Sequence, residues 1–247
     1  MKHFGLIGRN LGHSYSQRYF EELFLRLELK DYSYSLHEME STACVRQWVE
    51  EEGISGFNVT TPFKETIITQ LDSLDEVAAA IGAVNCVSVE KDHLVGHNTD
   101  APAFADTVAD IASLLAGREA LLLGTGGAAR AVAYALRQMG AEVVFASRNP
   151  AKSRLSGVVS YTDARAVAQR CPLVVNCTPV GMYPDTKNTP WPWPQDFGRH
   201  TIAYDLTYNP SPTLFLQQAN AYGAAIRDGL AMLHRQADLS RRYFGII

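Results

Sequence analysis

Along the chain, short apolar runs typical of strands alternate with longer segments in which apolar residues have helical spacing. Alternation of strands with helices predicts an α/β protein with mostly parallel sheets. A first series predicts strands at 4–7, 32–36, 56–59 and 83–89 and helices at 16–29, 41–52 and 63–70. We expect about four or five strands in this series, ending near Asn98.

A second series predicts about six strands, near residues 120–123, 143–146, 158–160, 173–176, 202–206 and 224–226. Between the two series, residues 99–115 predict a helix with Pro102 in its first turn, where the missing N–H of proline costs nothing. Residues 230–244 predict a last helix. Two series joined by a helix indicate two domains.

Composition narrows the classes of partner. The chain has 247 residues, of which 47% are hydrophobic and 19% charged, and a formal charge of −4, as in ordinary soluble proteins. The longest basic run is an arginine pair at 241–242, so neither a nucleic-acid nor a membrane partner is expected. The longest uncharged stretch, 206–226, contains prolines and amides unsuited to a membrane span. We expect a cytoplasmic enzyme or binding protein.

No metal site is expected. The four cysteines are far apart and form no C-x-x-C pair, and the seven histidines form no H-E-x-x-H motif. His93 and His97 lie four residues apart, but in a strand-turn region where that spacing does not make a helical ligand pair.

The most specific local motif is glycine-rich. A predicted strand ends in G-x-G-x-x-A, with Gly124, Gly126 and Ala129, and an alanine-rich helix follows. Gly124 permits the tight turn, Gly126 lets a pyrophosphate approach the backbone, and Ala129 lets helix and strand pack closely. Because strand, glycines and helix come in the right order, we favour a dinucleotide-binding Rossmann sheet over a plain turn.

The end of the next strand indicates which dinucleotide binds. NAD enzymes usually have a carboxylate there, whereas this chain has Ser147 and Arg148. Arg148 can donate charge-assisted hydrogen bonds to a 2′-phosphate, which favours NADP(H). The alternative is a solvated surface arginine.

Lysine and aspartate follow two predicted strand ends in the first domain. Lys64 comes after the strand at 56–59, and Asp100, a plausible helix N-cap, follows the last strand of that series. Ligands of α/β sheets bind at such carboxyl ends. If both side chains face one cleft, they form an ammonium and its orienting carboxylate.

Several further motifs occur in one order, from the first strand to the last helix. They are Ser14-Tyr-Ser16, Asn58-Val-Thr60-Thr-Pro-Phe-Lys64, Gly82-Ala-Val-Asn85, Asn98-Thr-Asp100, Asn176-Cys-Thr178-Pro-Val-Gly-Met182, Asp205-Leu-Thr-Tyr208-Asn-Pro210 and Asp228-Gly229 with Gln236. In this order they resemble the shikimate dehydrogenase family, whose members reduce 3-dehydroshikimate with NADPH in aromatic amino-acid biosynthesis.

The resemblance implies roles for single residues. Lys64 and Asp100 would be catalytic. The substrate would be bound by Ser14, Ser16, Thr60, Asn85, Tyr208 and Gln236, and NADP(H) by Gly124, Gly126, Gly127, Ala128, Ser147, Arg148, Thr178 and Gly229. Residues 1–100 and the helix 228–247 would form the substrate domain, with a mixed, mostly parallel sheet, and 101–227 the cofactor domain. The active site would lie in the cleft between them, in a monomer or homodimer.

Simpler interpretations exist for single residues: Ser14 and Ser16 as helix caps, Asn85 as a turn cap, Tyr208 as core and Gln236 as surface. The sequence departs from the family at Gln17, Tyr19 and Phe20, and beside Arg148, where Ser147 and Asn149 replace the usual neighbours. Two other functions stay open, an NAD-using quinate/shikimate dehydrogenase and a non-catalytic NADP-binding regulator.

Overall fold

The computed structural model describes residues 1–246 as two compact units. Unit 1 comprises Met1–Asp100 and the chain from His234 onward, and unit 2 comprises Ala101–Leu233. Each unit has its own six-stranded sheet, one mixed and one parallel, which confirms the predicted α/β class.

The sheet of unit 1 contains β1 (Lys2–Gly8), β2 (Tyr32–Glu38), β3 (Ile54–Val59), β4 (Ser73–Leu74), β5 (Cys86–Glu90) and β6 (His93–His97), in the order β2-β1-β3-β5-β6-β4. β1 pairs in parallel with β2 and β3, and β4 with β6, whereas β5 is antiparallel to both neighbours. Asn58 near the end of β3 therefore faces Cys86 at the start of β5, and Cys86 faces His97 at the end of β6. This register brings the predicted catalytic segments to one edge of the sheet.

The first series has six strands rather than four or five. β4 and β6 lie outside the four predicted ranges. β4 has only two residues, which pair with Val95 and Gly96, too few to give a periodic pattern. β5 and β6 form a hairpin through Lys91 and Asp92, whose φ angles of 50° and 68° suit a two-residue turn.

The helices are α1 (Ser16–Arg26), α2 (Val45–Glu52), α3 (Glu76–Ile81), α4 (Asp100–Thr107), α5 (Ala112–Leu115), α6 (Gly127–Gln138), α7 (Tyr161–Ala168), α8 (Leu214–Ala221) and α9 (Leu230–Tyr243). Within residues 1–246, none is both long and apolar enough to cross a membrane.

Two predicted helices are wrong in extent because threonine hydroxyls bond to nearby carbonyls. The segment 63–70 is only a 3₁₀ helix from Thr66 to Gln70, where Thr66 and Thr69 donate to Phe63 O and Thr66 O. The segment 99–115 is broken after Thr107, which donates to Phe104 O at 2.7 Å. Such bonds compete with the helical ladder.

The end of the chain packs on unit 1 through aromatic rings. Phe244 stacks on Phe4 with ring centroids 5.1 Å apart, and Tyr243 on His97 at 3.9 Å. A Cβ at Gly56 would lie 2.6 Å from Phe244 Cδ1. Only glycine at position 56 therefore lets this ring reach the sheet.

The sheet of unit 2 is entirely parallel. It contains β7 (Glu119–Leu123), β8 (Glu142–Ser147), β9 (Val158–Ser160), β10 (Leu173–Asn176), β11 (Ile202–Asp205) and β12 (Ala225–Arg227). Read from β9, the order is β9-β8-β7-β10-β11-β12, the 3-2-1-4-5-6 order of dinucleotide-binding sheets, which bind ligands where the strand order reverses. Here that point lies between β7 and β10.

The loop of unit 2 that contains Trp191 and Trp193 is fixed to the core of this unit. Trp191 is fully buried and donates from Nε1 to Trp193 O at 2.9 Å. The Arg165 guanidinium lies 5.0 Å from the ring centroid of Trp193 and forms two hydrogen bonds with the buried Asp196. These contacts are typical of a loop that its aromatic rings anchor to the core, rather than of a mobile lid.

Candidate active site

Lys64 and Asp100 form a largely buried ion pair in unit 1. Lys64 Nζ donates to Asp100 Oδ2 at 2.6 Å, and the two side chains are 16% and 8% exposed. Charges that leave water need a partner with good geometry, and a lysine ammonium has further N–H groups besides the one used here. The pair therefore holds an ammonium in place while leaving it able to donate to a ligand.

Backbone hydrogen bonds fix the segment that carries Lys64. Thr60 N donates to Ile7 O at 2.9 Å, and Val84 N donates to Lys64 O at 2.7 Å. A Cβ at Gly8 would lie 2.5 Å from Thr60 Cγ2, so the end of β1 must be glycine for Thr60 to lie beside it. Lys64 thus follows β3 in a segment attached to the sheet, with Thr60 half-buried at its start.

Asn85 holds the start of α4. Its Nδ2 donates to Thr99 Oγ1 and Asp100 Oδ1, both at 2.8 Å, and its Oδ1 accepts from Thr99 N at 2.7 Å. Both amide hydrogens are used within the protein, so Asn85 has one lone pair of Oδ1 left that could accept a hydrogen bond from a ligand. Asp100 is the first residue of α4, and its carboxylate accepts from Lys64 Nζ at Oδ2 and from Asn85 Nδ2 at Oδ1.

The serines lie at the start of α1. Ser14 Oγ accepts from Ser16 N at 3.2 Å, a bond that leaves the hydroxyl hydrogen available to another acceptor. Ser16 faces the hydroxyl of Tyr34. Burial raises the pKa of Tyr34 well above its usual value, so this hydroxyl keeps its proton and donates to Asn58 Oδ1 at 2.8 Å.

The remaining predicted substrate residues lie on different units. Gln236 lies in the part of α9 that belongs to unit 1 and is half-buried. Its backbone carbonyl accepts from Ser240 Oγ at 2.9 Å. Tyr208 follows β11 in unit 2 and is half-buried. Substrate binding by both residues stays a prediction.

The glycine turn of unit 2 lies at the reversal point of the sheet. Gly124 has φ +107°, and a Cβ there would lie 2.9 Å from Thr178 Cγ2, beyond the end of β10. Gly126 precedes α6, with nothing within 4 Å of the position of a Cβ. Gly127 and Ala128 form the first turn of this helix, whose N–H groups and dipole favour an anion. This open backbone fits the pyrophosphate of a dinucleotide.

Thr178 is held by a buried polar chain. Asn176 Oδ1 accepts from Thr178 N and Oγ1 at 3.0 and 2.7 Å, and Asn176 Nδ2 donates to Asp205 Oδ1 at 2.9 Å. Burial raises the pKa of Asp205 to about 6, against the opposing effect of hydrogen bonds from Thr213, Thr207 and Asn176. At neutral pH its carboxylate form therefore prevails and accepts those bonds.

Arg148 extends from the end of β8, next to β7. It is exposed and, within residues 1–246, forms no ion pair, while Ser147 Oγ accepts from Asn149 N at 3.2 Å. A Cβ at Gly229 would lie 2.1 Å from Leu206 O, so glycine is required there for backbone packing whether or not it contacts a cofactor.

The sequence left several polar residues of both sites without a role. They are Tyr34, Asn58 and Ser240 in unit 1 and Asn176 and Asp205 in unit 2. For Asn58 and Asp205 a signal existed, since each is polar within or at the end of an apolar strand. A serine in an amphipathic helix gives no such signal.

The parallel sheet, the glycine turn at its reversal point and the ion pair of unit 1 define an α/β protein with a dinucleotide site in unit 2 and a polar site in unit 1. The family model described as "Shikimate dehydrogenase substrate binding domain" matches residues 6–87. The NADP(+) shikimate dehydrogenase of Shouchella clausii is 36% identical over 97% of this chain and 91% of its own length. The chain belongs to the shikimate dehydrogenase family.

Solved structures are similar over nearly the whole chain. Shikimate dehydrogenase 1 from Peptoclostridium difficile has a TM-score of 0.90 and 32% identity, covering 99% of this chain and 92% of its own. The shikimate 5-dehydrogenase of Thermus thermophilus in complex with NADP(H) and shikimate has a TM-score of 0.85 and 34% identity, covering 100% and 95%. Both units therefore have counterparts in these proteins.

Proposed function

We propose that this chain catalyses the reversible, NADP-dependent reduction of 3-dehydroshikimate to shikimate in chorismate and aromatic amino-acid biosynthesis. The observation that carries the proposal is the buried Lys64–Asp100 pair, with Asn85 bonded to the second carboxylate oxygen. Family membership supplies the substrate class, since the relatives described above are shikimate dehydrogenases.

The pair performs the proton transfer. When bound, NADPH supplies the hydride that the keto carbon receives. Lys64 donates a hydrogen bond to the keto oxygen, stabilises the developing negative charge and then gives up a proton. Asp100 holds Nζ in position by accepting its hydrogen bond. In the oxidative direction the lysine amine accepts the proton from the hydroxyl.

Neutral polar groups recognise the rest of the substrate. Ser14, Ser16 and Tyr208 bind the carboxylate, and Thr60, Asn85 and Gln236 bind ring hydroxyls. The proposal includes a single site to which both units contribute. It also describes the protein as a cytoplasmic enzyme, monomeric or homodimeric, without nucleic-acid, membrane or metal partners.

The cofactor part of the proposal rests on two features of unit 2. The backbone around Gly124, Gly126, Gly127 and Ala128 would hold the pyrophosphate, with Thr178 and Gly229 nearer the nicotinamide. Ser147 and Arg148 would bind the 2′-phosphate, because no carboxylate ends β8 to accept ribose hydroxyls instead.

Replacing Arg148 with alanine should raise the Kd for NADPH about 10- to 100-fold and change the Kd for NADH less than about twofold, because only NADPH carries the 2′-phosphate. Cofactor titration by nicotinamide fluorescence measures both constants. Arg199→Ala is the matched control, since Arg199 is an exposed arginine that precedes β11, at the opposite strand end. Equal losses for both cofactors in Arg148→Ala would remove the 2′-phosphate assignment.

A steady-state assay tests the function. The purified chain is supplied with shikimate or quinate, each with NADP or NAD. We expect the highest kcat/KM with shikimate and NADP. A preference for NAD with quinate would favour the quinate/shikimate alternative, and inactivity with all four pairs would favour the non-catalytic regulator.

A further inference from the structure

Ser240 lies where α9, β3 and the residue before α4 meet. It is fully buried on α9. Its Oγ donates to Gln236 O at 2.9 Å and accepts from Asn58 Nδ2 at 2.9 Å, and Thr99 Oγ1 lies 3.3 Å away. A hydroxyl has one hydrogen and two lone pairs. The bonds with Gln236 O and Asn58 use the hydrogen and one lone pair, so Thr99 is the donor to the second lone pair. The Cys86 side chain also faces this hydroxyl.

Asn58 links Ser240 to the sheet through hydrogen bonds. It is buried near the end of β3, where its Oδ1 accepts from Tyr34 Oη and its Nδ2 donates to Asn85 O at 3.1 Å and to Ser240. Without the serine hydroxyl, one N–H of Asn58 would be buried without a partner. A buried donor without a partner lowers the free energy of unfolding. The surrounding residues would therefore relax to make this cost smaller.

Thr99 extends this path of hydrogen bonds to the Lys64–Asp100 pair. Its Oγ1 accepts from Asn85 Nδ2, and the same nitrogen donates to Asp100 Oδ1. Asn85 is thus held at its backbone by Asn58 and at its side chain by Thr99, and both of these residues bond to Ser240. Every step of this path is a described contact of 3.3 Å or less.

We propose that Ser240 is a positioning residue, which acts through Asn58 and Thr99 on Asn85 and through Asn85 on the Lys64–Asp100 pair. The inference rests on the proposed function. It gives the C-terminal helix a role besides carrying Gln236, because the hydroxyl of Ser240 ties that helix to the segments that precede Lys64 and Asp100. A serine that only bonds to its own helix would make the bond to Gln236 O and no other.

Ser240→Ala should lower kcat for shikimate oxidation about tenfold and raise KM for shikimate several-fold, because a shift of the reacting groups by a fraction of an ångström is costly. KM for NADP should not change, since the predicted cofactor residues lie in unit 2. Ser240→Cys, with a weak donor and acceptor, should give intermediate values of kcat and KM.

Ala237→Gly is the matched control. Ala237 lies one turn earlier on α9, is buried among apolar side chains and belongs to no polar path. Glycine there weakens the helix, so Tm should fall while kcat and both KM values stay near those of the wild type. This separates loss of positioning from loss of helix stability.

Wild-type kcat and KM in Ser240→Ala would overturn the inference, as would kinetic losses of the same size in Ala237→Gly. If the alanine variant does not fold, wild-type kinetics in Ser240→Cys would contradict it equally. Inactivity of the wild-type chain in the four assays would instead overturn the proposed function itself.

Discussion

Lys64→Ala is expected to lower kcat for shikimate oxidation at least about 10³-fold, because it removes both the proton carrier and the positive charge beside the reacting oxygen. The affinity for NADPH should stay near that of the wild type, since Lys64 is in unit 1 and the predicted cofactor residues are in unit 2. Steady-state kinetics and a fluorescence titration of NADPH measure the two quantities.

Two further variants separate charge from proton transfer at position 64. Lys64→Arg keeps the positive charge, but a guanidinium does not give up its proton in proteins, so its kcat should stay low. Lys30→Ala removes an exposed lysine of the same unit and should leave kcat unchanged. A Lys64→Ala enzyme with more than about a tenth of the wild-type kcat would show that another group carries the proton.

We expect Asp100→Asn to lower kcat about 10²-fold, because a carboxamide cannot replace both acceptors of the carboxylate. Lys64 Nζ donates to Oδ2 and Asn85 Nδ2 donates to Oδ1. An asparagine has one acceptor oxygen, so in either orientation its own NH₂ group faces a donor. Asp92→Asn is the control, since Asp92 is exposed in the hairpin turn at φ 68°, which asparagine tolerates.

The double variant tests whether Asp100 acts through Lys64. If it does, Lys64→Ala combined with Asp100→Asn should have about the kcat of Lys64→Ala alone, since residues that act as a unit are not additive. Losses that multiply would mean that Asp100 works independently of the lysine.

The sequence was most informative where local pattern determines structure. The strands Val158–Ser160 and Leu173–Asn176 have the predicted bounds, because apolar runs bounded by turns are typical of buried parallel strands. The motifs around Lys64 and Asp100 predicted that these side chains meet, and their atoms lie 2.6 Å apart. The catalytic roles of the two residues stay predictions.

Long-range contacts and weak local signals account for what the sequence could not predict. Asn58 and Ser240 are 182 residues apart in the chain, and no spacing rule connects a strand asparagine to a helix serine at that distance. The sequence of 63–70 predicts a helix, but its threonines favour turns, and Thr66 and Thr69 hydrogen-bond to nearby carbonyls. Strand β4 exists only through its pairing with β6.

Rapid mixing of the protein–NADPH complex with 3-dehydroshikimate tests directly whether this chain is a reductase. NADPH oxidation is followed optically, and the product is identified by mass spectrometry. We expect NADPH to be consumed in step with the formation of an equal amount of shikimate, and Lys64→Ala to bind NADPH without oxidising it on the same timescale. Tight binding of NADPH by the wild-type chain without formation of shikimate would contradict the proposed function.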